Sequence, residues 1–261
     1  MAWKIAERRA EKKNDKKKLD ETATMSVVDH LRELRDRLIF AMIAIALGAM
    51  VCFIFFEPII DLMIRPYRDA TVGPGFPDGK PLIFTNPLEA FMTRVKVAAY
   101  GGLVIASPVV FFHLWRFITP GLNPKEKRYA IPFVTASVIL FVGGSGLAII
   151  TFPKALNFLI NVGGSDLDPL LSAGAYLTLV FLMVLAFGVS FEFPIVMMFL
   201  LLARVLNTGQ LRKIRKFTFL GLVVFCAVIT PSQDPITLFA MAIPMYLLYE
   251  GTIIIGRIMK R

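Results

Sequence analysis

Between Ala175 and Ala203 the chain runs 29 residues in which every side chain is apolar, small or hydroxylated except that of Glu192. A helix of that length crosses a hydrocarbon core of about 30 Å. A carboxyl group kept inside such a run has to face a protein interior, a water-filled cavity or a partner. The run therefore calls for a bilayer and for something polar at mid-depth. On chemistry alone two readings of Glu192 stand: a carboxyl hydrogen-bonded within a helix bundle, or a site for a proton, an ion or a polar group on another membrane helix.

Five further apolar runs accompany it: Leu38–Phe56, Val97–Trp115, Ala130–Phe152, Phe217–Thr230 and Ile236–Ile255. Only 18% of the 261 residues are charged, against roughly 25% in a soluble domain. The fold class predicted is an all-α integral membrane protein with six transmembrane helices. Phe217–Thr230 is short, because 14 residues reach only about 21 Å. The Pro231–Pro235 turn behind it predicts a tight hairpin, with the fifth and sixth helices both short and the bilayer locally thinned. Pro108, Pro132, Pro194 and Pro244 lie in or beside the runs, which predicts kinked helices and a concave bundle.

The bases set the orientation. With the N-terminus in the cytoplasm, the segments 1–37, 116–129, 204–216 and 257–261 hold 23 of the 29 Lys and Arg residues, and the outer loops 57–90 and 153–174 hold 4. That bias places both termini in the cytoplasm. The net charge of +10 then follows from basic loops facing anionic lipid, and no nucleic-acid partner is expected.

Residues 1–24 read as a charged extension without a core, residues 25–257 as the membrane domain, and 258–261 as a short basic tail. Ser26–Asp29 fits a capping box. The helix behind it carries Leu31, Leu34 and Leu38 on one face, with Glu33–Arg37 and Arg32–Asp36 as one-turn pairs. Glu57–Arg68 reads as an interfacial helix ended by Pro66, and Pro153–Val162 as a second, broken at Gly163–Gly164. Cys52 and Cys226 read as small buried residues without metal-site spacing.

Catalysis has little to rest on. His30 and His113 are far apart, and the chain has no metalloprotease, phosphate-loop or nucleophile-elbow motif. No enzyme activity and no cofactor or metal is expected. The acids in basic surroundings say more. Glu126 is the one acid among Arg116, Lys125, Lys127 and Arg128, and Glu33 sits among Arg32, Arg35 and Arg37. Either they form local salt bridges worth about 0–1 kcal/mol each, or they are two carboxylates on one membrane face that receive guanidinium groups from a ligand, which arginine's planar fork suits. Glu250 is expected to snorkel or to pair with Arg257, and Asp234 to form an Asx turn.

Five segments carry a resemblance: HLRELRDRL (His30–Leu38), FITPGLNPKEKR (Phe117–Arg128), FGVSFEFP (Phe187–Pro194), ITPSQDP (Ile229–Pro235) and AIPMYLLYE (Ala242–Glu250). In this order, with six spans, the chain resembles the TatC family, the polytopic subunit of the twin-arginine protein translocase. The match runs from about Ser26 to Arg257. The resemblance implies a glove-like six-helix fold, and a prokaryotic inner membrane is expected because no transit peptide is evident. It implies recognition, at the cytoplasmic face, of signal peptides with paired arginines on folded precursors, and transport driven by the protonmotive force. Glu33 and Glu126 match the family's recognition acids, with Arg35 and Phe117 beside them. Glu192 matches its intramembrane acid. From the residues themselves, Pro66 and Asp234 read as structural or gating positions. The implied partners are the single-span subunits TatA and TatB, with self-association in the complex. Two rival readings remain from the residues themselves: a proton-coupled secondary transporter using Glu192, and a passive scaffold whose acids are all structural.

Overall fold

The computed structural model describes residues 27–72, 76–118, 130–162 and 171–259. Among them every regular element is a helix: α1 (Val27–Ile54), α2 (Phe56–Ala70), α3 (Pro87–Ile118), α4 (Ala130–Val162), α5 (Ala173–Ser190), α6 (Phe193–Leu202), α7 (Thr208–Lys213), α8 (Arg215–Ile229) and α9 (Pro235–Ile258). Five candidate spans are long and apolar enough to cross a bilayer: α1, α3, α4, the α5–α6 pair and α9. The fifth run falls short, as expected. Helix α8 has 15 residues and reaches about 22 Å. The sixth does not fall short. Helix α9 starts at its Asp234 cap and runs 24 residues through Pro244, about 36 Å.

The chain divides into a unit ending at Phe40 and a second, Ala41–Arg261. In the first, Leu31, Leu34 and Leu38 are exposed along the start of α1. Glu33 and Arg37 pair one turn apart as expected. Asp36 does not take Arg32. It binds the neighbouring Arg35 at 2.8 Å, because that guanidinium reaches it from the next residue. The capping box at Ser26 lies outside the described residues.

In the second unit, helices meet closely where side chains are absent. A Cβ on Gly102 would lie 2.4 Å from the Ala49 backbone nitrogen, and one on Gly144 would lie 2.7 Å from the Phe187 carbonyl oxygen. So α1 crosses α3, and α4 crosses α5, at backbone contact, the packing that small residues permit between membrane helices. The α4–α5 seam is also pinned by Ser145 Oγ, which donates to the Val184 carbonyl at 3.2 Å. Around it lie Ala148, Phe152, Tyr176, Val180, Met183 and Phe187, all buried.

Two prolines expected to punctuate the chain do not. Helix α2 continues through Pro66 to Ala70, where Thr71 closes it by donating its hydroxyl to the Tyr67 carbonyl at 2.8 Å. Tyr67 is fully buried, its ring 5.4 Å from that of Tyr176. Tyr176 in turn donates its hydroxyl to the Met63 carbonyl at 2.8 Å. Asp61 adds ion pairs to Arg65 and Arg68, both at 3.1 Å. Packing on both sides of the proline outweighs its lost hydrogen bond. Likewise Pro153–Val162 is no separate interfacial helix but the end of α4, which runs 33 residues, about 50 Å. Phe152, Ala155 and Leu156, buried on either side of Pro153, anchor the helix across it.

Candidate functional site

The sequence-predicted residues fall in different places. Glu33 lies two turns into α1. Its Oε1 accepts the Arg37 Nε–H at 3.0 Å, His30 Nδ1 lies 4.0 Å from its Oε2, and Oε2 accepts no hydrogen bond among the described residues. The carboxylate is thus half engaged. Arg35, exposed on another face, holds Asp36. Phe117 is half-buried in the last turn of α3. Glu126 lies outside the described residues.

Glu192 sits where the fourth span divides. Helix α5 ends at Ser190, and α6 starts behind Glu192 with Pro194 in its first turn. Proline in that place fits a helix start, since the N–H it lacks would have had no partner. The Glu192 side chain makes no cap bond, and its buried Oε1 accepts no hydrogen bond. The Ser137 hydroxyl faces the carboxyl, and because it accepts the Trp115 indole N–H at 2.8 Å its own O–H remains to donate. The residue is half-buried, and its Oε1 has no hydrogen-bond partner among the described residues.

Asp234 is the N-cap of α9. Oδ1 accepts the Thr237 N–H at 2.8 Å and Oδ2 accepts the Thr237 hydroxyl at 2.7 Å. Glu250 departs from expectation. Its partner is Arg215, at 2.6 Å, and Tyr246 donates to its other oxygen at 3.1 Å. The α8–α9 hairpin brings Arg215 to it from 35 residues away, whereas Arg257 lies nearly two turns further along the same helix.

One acid was missed. Glu89 Oε2 accepts the Thr85 N–H at 2.7 Å, and its Oε1 accepts the Gly174 N–H at 3.1 Å. It thereby ties the start of α3 to the start of α5, beside a single bridge between Ile83 and Ser172. The signal was Asn86-Pro87-Leu88-Glu89, a helix start with a carboxylate in the third position. Among the described residues no group of three His, Cys, Asp or Glu side chains is placed to hold a metal ion.

The family model for "Sec-independent protein translocase protein (TatC)" matches residues 29–244. The chain belongs to the TatC family. It is 42% identical to the TatC protein of Frankia casuarinae over 90% of this chain and 66% of that one. To TatC of Carboxydothermus hydrogenoformans it is 31% identical, over 92% and 96%. To TatC of Aquifex aeolicus it is 38% identical, over 91% and 97%. The chain thus spans just under two thirds of the Frankia relative and nearly all of the other two. A crystal structure of TatC, described as a twin arginine translocase receptor, superposes with a TM-score of 0.70 at 37% identity, over 89% of this chain and all of that one. The helical architecture and the multi-pass membrane character of TatC therefore hold for this chain.

Proposed function

We propose that the chain is the signal-reading subunit of a twin-arginine translocase, with six spans, the short α8 among them, and both termini in the cytoplasm of a prokaryotic inner membrane. Residues 1–24 lie outside the working domain in this reading. The observation that carries it is the half-engaged carboxylate of Glu33. Arg37 already shows that the position takes a guanidinium, and Oε2 remains to accept one. A ligand arginine would replace or extend that pair, with Glu126 as second acceptor and Arg35 and Phe117 flanking. The likeness to a structure described as a twin arginine translocase receptor supports the same reading. Glu192 offers its unsatisfied oxygen to a polar group on a single-span partner of the TatA or TatB kind, and transport draws on the protonmotive force.

The test is binding of a fluorescent signal peptide to the protein in nanodiscs, with an Arg-Arg and a Lys-Lys version. Wild type should prefer Arg-Arg. Glu33→Gln with Glu126→Gln should lose the preference, each lost charge-assisted bond weakening binding by about 10- to 150-fold. A preference that survives both substitutions refutes the assignment.

A further inference from the structure

At one end of the second unit, an apolar groove and a polar recess share a wall. The groove, of about 370 Å³, lies between the start of α4, helix α6 and the end of α9, with Pro132, Pro194, Met198, Gly251, Thr252 and Met259 among its lining. Its one hydroxyl is turned inward, because Thr252 Oγ1 donates to the Leu248 carbonyl at 3.0 Å. The groove is therefore almost wholly apolar. Met259 also lines the recess, of about 650 Å³, together with Arg204, Asn207 and Gln210.

The recess is built to donate. Asn207 Oδ1 accepts the Gln210 N–H at 2.8 Å, and Gln210 Oε1 accepts the Asn207 N–H at 3.0 Å. With both amide oxygens used, both NH2 groups remain as donors. Arg204 adjoins them with a left-handed backbone, φ 59°. No described carboxylate pairs with its guanidinium. The segment 204–216 holds five bases and no acid.

We propose that this pair of cavities is a binding site for one anionic phospholipid, an acyl chain lying in the groove and the phosphate held by Arg204, Asn207 and Gln210. Three features choose this occupant. The apolar and cationic parts are continuous through Met259, as the two parts of a lipid are. The charge is complementary. One turn of a helix, about 10–12 Å across and 5.4 Å long, already exceeds the groove's volume of about 370 Å³, whereas an acyl chain is far narrower. The site rests on nothing in the signal-peptide reading and stands or falls apart from it.

Two substitutions separate its halves without threatening the fold. Gly251→Leu fills the groove, since a Cβ there meets nothing within 4 Å. Arg204→Gly removes the charge at a position whose backbone suits glycine. Native mass spectrometry of the protein from micelles with equimolar phosphatidylglycerol and phosphatidylcholine of identical chains reads the outcome. Wild type should retain phosphatidylglycerol in preference by about tenfold, the effect of one charge-assisted hydrogen bond. Arg204→Gly should abolish the preference, Gly251→Leu should reduce retention of both lipids, and inorganic phosphate should not compete. Equal retention of the two lipids by wild type overturns the proposal. So does a preference unchanged in both variants, displacement by phosphate alone, or displacement of lipid by a single-span helix peptide in wild type and Gly251→Leu alike.

Discussion

Asp234 shows how much a single side chain settles at the hairpin. It is 2% exposed, and both of its oxygens are used on Thr237. Burial pushes its carboxyl up. Hydrogen bonds from Ser232, Thr237 and the Ile236 backbone outweigh that, so it titrates below the ordinary aspartate range. A depressed carboxyl stabilises the fold above its unfolded pKa of about 3.9, and that contribution is lost as pH falls through the folded value. Asp234→Ala is therefore expected to cost about 0.5–2 kcal/mol, as N-cap removal does, read as a lower unfolding temperature in micelles at pH 7. The gap between wild type and Asp234→Asn should narrow as pH falls below about 4, and a gap that stays constant refutes the charged cap. This role was readable because turn, cap and helix start lie within a few residues. Glu250 was not readable. Its partner Arg215 comes from another helix, and spacing along one helix says nothing of that. Glu89 was half readable, since Asn86 caps the same helix at 2.8 Å, but its bond to Gly174 spans 85 residues.

Helices were legible from the apolar runs because the bilayer leaves a backbone few alternatives. Their ends were less so. Pro66 and Pro153 are strong local stop signals that packing overrides, and packing is not written locally. How the helices meet depends on where side chains are missing. Gly102→Ala puts a methyl 2.4 Å from the Ala49 nitrogen, so α1 and α3 have to separate. Gly143→Ala meets nothing within 4 Å and only raises helix propensity, by about 0.5–1 kcal/mol. The first variant should unfold at a clearly lower temperature in micelles than wild type, and the second at the same or a slightly higher one. Equal behaviour of the two would mean that the α1–α3 crossing is not held at backbone contact. The Arg215–Glu250 pair offers a second test of how elements join. Glu250→Gln keeps the Tyr246 bond and weakens only the pair. Both groups are partly exposed, so the expected loss is under about 1 kcal/mol, and restoration by Arg215→Gln in the same chain would show the two to act together.

For the molecule as a whole, Glu192 is informative because its buried Oε1 finds no hydrogen-bond partner among the described residues. Glu192 stood out in the sequence because an acid in a span is costly. The apolar groove beside Pro194 did not, because three separate segments build it and each reads as uniformly apolar. Nor could the sequence show that Glu192 Oε1 finds no hydrogen-bond partner among the described residues, although the Ser137 hydroxyl faces the carboxyl. A buried acceptor without a donor costs about 1–3 kcal/mol. If that cost is kept for assembly, removing it should help the isolated chain and harm the complex. Glu192→Leu is therefore expected to raise the unfolding temperature of the purified protein, by a gain on the order of 1 kcal/mol, while abolishing export of a twin-arginine precursor and co-purification of a single-span partner. Glu192→Gln, which still offers an acceptor, should keep part of both. A Glu192→Leu protein that unfolds more readily than wild type would show instead that the carboxyl already has its partner inside the bundle. The acid would then be a structural member of this chain and not the point where a second helix joins.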